Sequence, residues 1–225
     1  MIAWEGDSLL NGEPIALILT KNSMNRKTGS MIQSWIIPQK GNLLDKDADI
    51  SVCGNCPLRQ ACYVTKFHAP RNIQKTYQRG GYDQIQPTDI RHEILRVGSW
   101  GDPAALPVGV WKGLLRRTAL PQKHTGYTHQ WRTCDPDFAT ICMASVESES
   151  DAIQAHAMGY KTFRVKSPSE PKLPNEIVCL NTTVGVACKQ CTMCNTTSGD
   201  IVIDVHGNRR ALSKYSEIRA LHLTN

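Results

Sequence analysis

Two groups of cysteines carry the clearest chemical pattern in this sequence. The first group has the spacing C-x2-C-x5-C and the second has C-x2-C-x2-C. A two-residue gap makes a tight turn that points both thiols toward one ion, and three thiolates with a fourth ligand complete a tetrahedral zinc site or an iron–sulfur cluster. The sequence therefore predicts metal binding without choosing between these two metals. The predicted ligands are Cys53, Cys56 and Cys62 in the first cluster, and Cys188, Cys191 and Cys194 in the second.

Cysteines outside the two motifs and one histidine are candidates for completing these two metal sites. Cys179 or His206 can supply the fourth ligand of the second cluster, which then becomes a closed, structural site. Three thiols in the first cluster leave one metal position open, as chemistry requires. Its alternative is a closed site shared with Cys134 or Cys142. Cys142 lies in a predicted strand, and we interpret it as a small buried hydrophobic residue.

The composition of the chain indicates which cellular compartment to expect. The chain has 225 residues and nine cysteines, an odd number that argues against a framework made only of disulfides. Its first residues lack the basic and apolar regions of a secretory signal, and no segment has the roughly 18 apolar residues of a membrane span. We therefore expect a soluble, cytoplasmic protein without a membrane partner, in which thiols are ligands rather than disulfides.

Charge is unevenly distributed. The chain has 26 Lys and Arg against 20 Asp and Glu, and no acidic residue lies between Asp49 and Asp83. A basic segment attracts phosphates, nucleic acid or small anions, although a solvated helix face has the same composition. The predicted anion-binding residues are Lys66, Arg71, Lys75 and Arg79.

Alternating apolar segments and helical patterns predict an α/β fold. Strands are predicted at 14–20, 30–38, 93–100, 124–131, 140–146, 161–166, 175–183 and 200–207, with helices from Pro70 to Gly80 and at 108–118, 148–159 and 213–223. Strands that alternate with helices form parallel sheets. We favour a partial TIM-type barrel over an open parallel sheet, with cysteine-rich metal-binding loops.

The chain is interpreted as a single domain, 1–225. Its segments are 1–50, with the N-terminal strands and a loop; 51–92, with the first cluster and the basic helix; 93–183, with the βα units; and 184–225, with the second cluster, a strand and a helix.

Polar residues at predicted strand ends are candidates for catalysis. Gly98, Trp100 and Asp102 share one strand face with Arg96, and the first three are predicted to bind a cofactor. The glycines are expected to leave room for a ligand to approach the backbone. Asp102 is also a catalytic candidate, because carboxylates of active sites often lie at such strand ends. Its alternative role is to cap the next helix.

A second strand presents an unusual set of side chains. Tyr127, His129 and Trp131 alternate onto one face, where they can stack against a planar substrate or supply acid–base chemistry. Tyr127 and His129 are therefore predicted to be catalytic. The alternative is a hydrogen-bonded core histidine. Weaker candidates at neighbouring strand ends are His124, Arg132 and Glu147.

The order of these motifs resembles a family of uncharacterised, cysteine-rich bacteriophage proteins. The resemblance covers roughly residues 20–207 and rests on "NRKTGSMIQSWII", "CGNCPLRQACYV", "LRVGSWGDPAALP", "TGYTHQW", "CMASVESESDA", "GYKTFRV" and "ACKQCTMC". It implies the cytoplasm of a host cell and carries no activity with it.

The layout is also similar to that of radical S-adenosylmethionine enzymes, which have a three-cysteine loop after the first strand and a Gly-Gly-Glu-Pro turn after the second. This likeness implies a 4Fe–4S cluster on Cys53, Cys56 and Cys62, and contact between Asp102 and the amino group of S-adenosylmethionine. The second cluster would resemble an auxiliary cluster or a zinc clip. The spacing differs, because that family has C-x3-C-x2-C.

The leading hypothesis is thus a phage-encoded iron–sulfur enzyme of radical-SAM-like layout that acts on a nucleotide, a nucleic acid or another anionic substrate. A zinc hydrolase is a variant of it. The competing hypothesis is a zinc-stabilised module that binds nucleic acid or protein without catalysis.

Overall fold

The structure is a computed structural model that describes residues 1–91, 93–118 and 123–223. In this part of the chain, nine strands form one sheet in the order β1-β2-β3-β4-β5-β6-β7-β9-β8. The strands are β1 (Ile2–Asp7), β2 (Pro14–Thr20), β3 (Ile32–Pro38), β4 (Leu95–Trp100), β5 (Thr125–Thr128), β6 (Met143–Val146), β7 (Thr162–Lys166), β8 (Glu176–Val178) and β9 (Asp200–Asp204).

Seven helices accompany the sheet within these residues. They are α1 (Ile50–Cys53), α2 (Ala69–Gln78), α3 (Val108–Arg117), α4 (Glu149–Ala157), α5 (Leu180–Val184), α6 (Cys188–Cys191) and α7 (Arg209–Leu223). Three short 3-10 helices span Arg59–Ala61, Pro103–Ala105 and Pro136–Thr140. No helix in the described ranges is long and apolar enough to cross a membrane.

The sheet is mixed and open. β1, β2 and β3 pair in antiparallel fashion, and all the pairings from β3 onward are parallel. The described strands run from one free edge at β1 to the other at β8 and do not close into a barrel. The α/β class is therefore confirmed, and the partial barrel that we favoured is replaced by an open, mostly parallel sheet.

Burial explains why these segments form the core. All residues from Ile15 to Leu19 of β2 are fully buried, as expected for a continuous apolar strand with neighbours on both sides. In α3, Trp111, Leu114 and Leu115 lie on one face at helical spacing and are buried. Ser148 caps α4 by accepting a hydrogen bond from the backbone N–H of Asp151 at 3.1 Å, as its capping pattern predicts.

Strand order determines where a ligand site can form. From β3 to β7 the order follows the sequence without reversal, and parallel crossovers are almost always right-handed. The crossover helices α2, α3 and α4 are therefore expected to lie on one face, which leaves the other face of the parallel strands for a site. The carboxyl ends of these strands meet at one edge of the sheet.

Three strands end earlier than the sequence predicts. β5 ends at Thr128 because the N–H of His129 donates to the Asp102 carboxylate instead of to a neighbouring strand. β8 ends at Val178, and the chain turns into α5, where the hydroxyls of Thr182 and Thr183 donate to the Cys179 carbonyl. β9 ends at Asp204.

Two further differences lie at the ends of the chain. β1 was not predicted, because "IAWEGD" combines apolar, acidic and glycine residues without a clear alternation. α7 begins at Arg209 rather than at residue 213.

Candidate functional site

A cavity of about 280 Å³ lies against one face of the sheet. Alternate residues of the parallel strands form its wall: Tyr127 of β5, Phe163 and Val165 of β7, and Ile203 of β9. Side chains two apart on a strand share a face, so the pleat of the sheet produces this wall. The rings of Tyr127 and Phe163 lie 4.4 Å apart between centroids, at 49°.

Seven of the nine cysteines line this one cavity. They are Cys53, Cys56, Cys62, Cys179, Cys188, Cys191 and Cys194. Of the other two, Cys142 is fully buried in the core, as predicted, and the Cys134 thiol lies 3.4 Å from the Tyr160 hydroxyl. The fold thus brings together two cysteine clusters that are far apart in sequence.

The first cluster is held against the end of β4. α1 ends at Cys53, and the N–H of Asp102 donates to the Val52 carbonyl at 2.5 Å. Burial raises the pKa of the Cys53 thiol well above its usual value, and the neighbouring Cys56, Asp49 and Cys62 raise it further. The thiols of this cluster are therefore close enough to sense each other's charge.

The second cluster is fixed between the N-terminal and central parts of the sheet. The N–H of Cys188 donates to the Lys27 carbonyl at 2.9 Å, and the N–H of Gly126 donates to the Cys194 carbonyl at 3.2 Å. The pKa of the Cys194 thiol is raised to about 12, chiefly by burial, while a hydrogen bond with Tyr127 acts to lower it. Three neighbouring thiols contribute to the rise: Cys179, Cys188 and Cys191.

The structure distinguishes the two candidates for a fourth ligand. Cys179 interacts electrostatically with the Cys194 and Cys188 thiols. His206 lines the same cavity, but its ring lies 5.3 Å from that of Tyr63, between centroids. Its pKa is lowered by burial and by Lys27, and no thiol contributes to the shift. Cys179 therefore lies with the cluster, and His206 belongs to the rim near Tyr63.

These donors fit a thiophilic metal by their chemistry but not yet by their arrangement. Thiolate ligands select zinc and iron–sulfur clusters over magnesium or calcium. Among the described residues, however, no three His, Cys, Asp or Glu side chains are already arranged as a metal site. The two thiol sets lining the cavity are thus candidate ligands that still have to converge on an ion.

His129 connects the first cluster to a carboxylate. Its Nδ1 lies 3.4 Å from the Cys56 sulfur, and its Nε2 lies 3.2 Å from Oε1 of Glu147. Burial lowers the pKa of His129, but Cys56 and Glu147 raise it more, so it lies well above its usual value. A thiol, an imidazole and a carboxylate in line can activate a nucleophile, and the imidazole can also bind a metal. Glu147, a weaker candidate from sequence, therefore belongs to the site.

Asp102 performs the capping role that we considered as its alternative. Oδ1 accepts from the N–H of Ala104 at 3.0 Å and from the Thr128 hydroxyl at 2.6 Å, and Oδ2 accepts from the N–H of His129 at 2.8 Å. The residue is 7% exposed. We therefore assign Asp102 to the positioning of His129, and its catalytic and cofactor-binding roles stay predictions.

Replacing Asp102 by asparagine is expected to lower the free energy of unfolding by about 1 to 3 kcal/mol, because one amide NH₂ then faces a backbone or hydroxyl donor. Chemical denaturation measures the change. Asp135→Asn is the matched control, since Asp135 also caps a short helix before a proline but is exposed and accepts from Asp137 alone. Equal losses in the two variants would contradict the positioning role.

The glycines near Asp102 are also required by the packing of the protein itself, and the expected approach of a ligand to their backbone stays a prediction. A Cβ on Gly98 would lie 2.8 Å from Cγ of Pro103, and a Cβ on Gly101 would lie 2.7 Å from Cβ of Ile36. Gly98 and Trp100 do line the cavity, and Trp100 is otherwise buried in the core.

The predicted aromatic face is only partly present. Tyr127 and His129 line the cavity, but β5 ends before Trp131, which is 1% exposed and donates from its indole N–H to the Ser145 carbonyl. Among the weaker candidates, His124 is buried with Nε2 2.9 Å from the Ile141 carbonyl. Arg132 stacks on Trp131 and pairs with Asp151 outside the cavity.

The four predicted anion-binding residues do not line the cavity. Lys66 pairs with Asp49 at 3.4 Å, and Arg71 lies over the ring of Phe67 at 5.8 Å. Lys75 is exposed on α2, and Arg79 is exposed just after its last residue. These residues therefore form an outer surface, separate from the thiols.

Arg96 and Tyr63 line the cavity but were not selected as ligands from the sequence. Arg96 was noted only for sharing a face with Asp102, and Tyr63 follows Cys62 in a segment without periodicity. Arg96 donates to the Tyr63 hydroxyl at 2.6 Å. Strand alternation alone can place Arg96, but the position of Tyr63 depends on the path of the cysteine loop.

No protein-family model, curated protein or solved structure matches this chain. The site therefore has to be interpreted from its own residues.

Proposed function

We propose that this protein is a metalloenzyme whose thiolate-bound metal lies in the cavity against the parallel strands. One observation carries the proposal: seven cysteines from two distant segments line a single cavity, and the other two, Cys134 and Cys142, do not line it. Soft donors gathered around one cavity favour a zinc or iron–sulfur centre over packing.

Within this proposal, Cys53, Cys56 and Cys62 hold an iron–sulfur cluster, and Cys179, Cys188, Cys191 and Cys194 hold a second, closed site. Four thiols satisfy a tetrahedral site, whereas three leave a position for a ligand. The cluster would supply electrons to a molecule bound at that position. The likenesses to the phage family and to radical S-adenosylmethionine enzymes belong to this proposal, with a nucleotide or another anion as substrate.

The residues of the chain have separate tasks around the first cluster. Asp102 holds the backbone of His129 by a hydrogen bond. Glu147 accepts a hydrogen bond from the His129 ring, and it forms an ion pair with the ring when the ring is protonated. Tyr127 and Phe163 supply an aromatic wall for the substrate. The cavity is mostly apolar, so bound groups there are shielded from water.

The test is metal and sulfide analysis, with a visible absorption spectrum, on protein purified without oxygen. We expect iron and sulfide in the wild type, and loss of one cluster when Cys53, Cys56 and Cys62 are replaced together by serine. Cys134→Ser is the matched control, because that half-buried thiol does not line the cavity. It should retain all of the metal.

Three results would count against this assignment. An unchanged metal content in the triple variant would mean that Cys53, Cys56 and Cys62 do not bind metal. Zinc alone, in a colourless protein, removes the iron–sulfur assignment and favours the zinc-bound alternatives. Metal loss in His129→Gln makes His129 a fourth ligand, so the first site is closed and structural.

A second candidate function follows from the alignment of Cys56, His129 and Glu147. Without metal, the Cys56 thiol can pass its proton to Nδ1 of His129 while Nε2–H donates to Glu147, which makes Cys56 a nucleophile. Alkylation of metal-free protein tests this. Cys56 should react faster than Cys134, and His129→Gln should remove the difference; equal rates in the wild type would rule this function out.

A further inference from the structure

Arg96 presents a positive charge inside the cavity. Its Nη2 donates to the Tyr63 hydroxyl at 2.6 Å and its Nη1 faces Oε1 of Gln33 at 3.4 Å. Both partners are neutral groups. Among the described residues, Arg96 forms no ion pair with a carboxylate. Burial lowers the pKa of its guanidinium, but Tyr63, Tyr127 and Cys188 raise it, so it lies above its usual value.

The carboxylates of the cavity wall are already engaged. In the described part of the chain, Asp102 and Glu147 are the acidic residues that line the cavity. Asp102 accepts three hydrogen bonds, and Glu147 faces His129. A half-buried guanidinium in an apolar cavity is costly unless an anion compensates it. The cavity therefore has a positive side at Arg96 that the protein does not neutralise with a carboxylate.

The surroundings of Arg96 suit an oxyanion. A guanidinium has five N–H donors, and the two contacts to Tyr63 and Gln33 leave others for a ligand. Because the Tyr63 oxygen accepts from Arg96, its own hydroxyl hydrogen is free to be donated. Lys27 adds a second positive charge to the cavity lining.

We propose that Arg96 and Tyr63 bind the carboxylate or phosphate of a small ligand whose apolar part lies against Tyr127 and Phe163. The volume of about 280 Å³ is near the lower end of ligand pockets, which run from roughly 300 to 1,000 Å³. Arginine binds both oxyanions through paired donors. The site differs from the basic surface of α2, because it lies inside the cavity.

This inference rests on the proposed function in one respect only: it places the ligand in the cavity to which we assigned the metal. It requires no metal. The rival role for Arg96 is to balance the charge of the second cluster, since Arg96 interacts electrostatically with Cys188. In that case its replacement would release metal instead of weakening anion binding.

Calorimetry of the full chain with benzoate, phenyl phosphate and neutral benzamide tests the proposal. We expect at least one of the two anions to bind, benzamide to bind much more weakly, and Arg96→Gln to weaken the anion by about tenfold or more. Lys75→Gln is the matched control, because Lys75 is exposed on α2. It should bind like the wild type. Benzoate and phenyl phosphate distinguish the two oxyanions.

Several results would overturn the inference: no anion binding by the wild type, equal binding by Arg96→Gln, or an equal loss in Lys75→Gln. If Arg96→Gln does not fold, Tyr63→Phe takes its place, with an expected loss of about threefold. Metal analysis of each sample separates the two proposals. Anion binding by metal-free protein supports the inference without the metalloenzyme, and metal without anion binding supports the reverse.

Discussion

Replacing Glu176 by glutamine is expected to lower the free energy of unfolding by about 3 to 5 kcal/mol, because it removes the nearer charge partner of a buried guanidinium and leaves it the longer pairing with Glu170, at 3.7 Å. Oε1 of Glu176 lies 2.6 Å from Nε of Arg164, and Oε2 lies 2.8 Å from Nη2. Both side chains are 3% exposed. The pair spans β9, since Arg164 lies on β7 and Glu176 on β8.

Urea denaturation of the wild type and the variant measures this loss. Glu217→Gln is the control, because Glu217 pairs with Lys214 on the exposed surface of α7. Exposed pairs contribute little to stability, so this variant should unfold like the wild type. A loss for Glu176→Gln no larger than that of the control would mean that the existing pair between Arg164 and Glu170, at 3.7 Å, is enough to compensate the guanidinium.

Replacing Gly101 by alanine is expected to lower the free energy of unfolding by about 2 to 5 kcal/mol, from backbone strain and from steric overlap together. Gly101 has φ of 86°, which residues with a Cβ rarely adopt. The new Cβ would also lie 2.7 Å from Cβ of Ile36, an atom fixed in β3. Because Asp102 is the next residue, movement here would also displace its carboxylate from His129.

Two alanine variants separate the causes. Gly159 has φ of 85°, but no atom lies within 4 Å of the position that a Cβ would take, so Gly159→Ala reports backbone strain alone. Gly109 lies in α3 with open space and ordinary φ, and Gly109→Ala should stabilise by about 0.5 to 1 kcal/mol. Equal losses for Gly101→Ala and Gly159→Ala, measured by urea denaturation, would exclude a contribution from Ile36.

Local sequence patterns predicted which strands and helices form better than they predicted the residues at which these elements end. The apolar run of β2 and the capped, periodic helix α4 were recognised because their signals are contained within a few residues. The end of β5 depends on Asp102, which is distant in sequence and takes the N–H of His129. The openness of the sheet is also a tertiary property, because it depends on how much twist and stagger the strands accumulate.

The same distinction applies to the site. Cysteine spacing indicated each cluster, but nothing in either motif indicated that both would line one cavity. The link between Cys56 and Glu147 through His129 is likewise formed only by three-dimensional packing. The basic segment is the opposite case. Its charge pattern is clear in the sequence, but its four predicted anion-binding residues do not line the cavity.

The strand order has a consequence for biosynthesis. From β1 to β7, each strand pairs with the one synthesised just before it, so the sheet can grow as the chain leaves the ribosome. β8 breaks this sequence, because β9 lies between it and β7. β8 must therefore wait for β9 before it joins the sheet, and the segment between them, with Cys188, Cys191 and Cys194, is held at both ends only after β9 has been made. We expect the thiols of the second cluster to remain exposed longer on a nascent chain than those of the first.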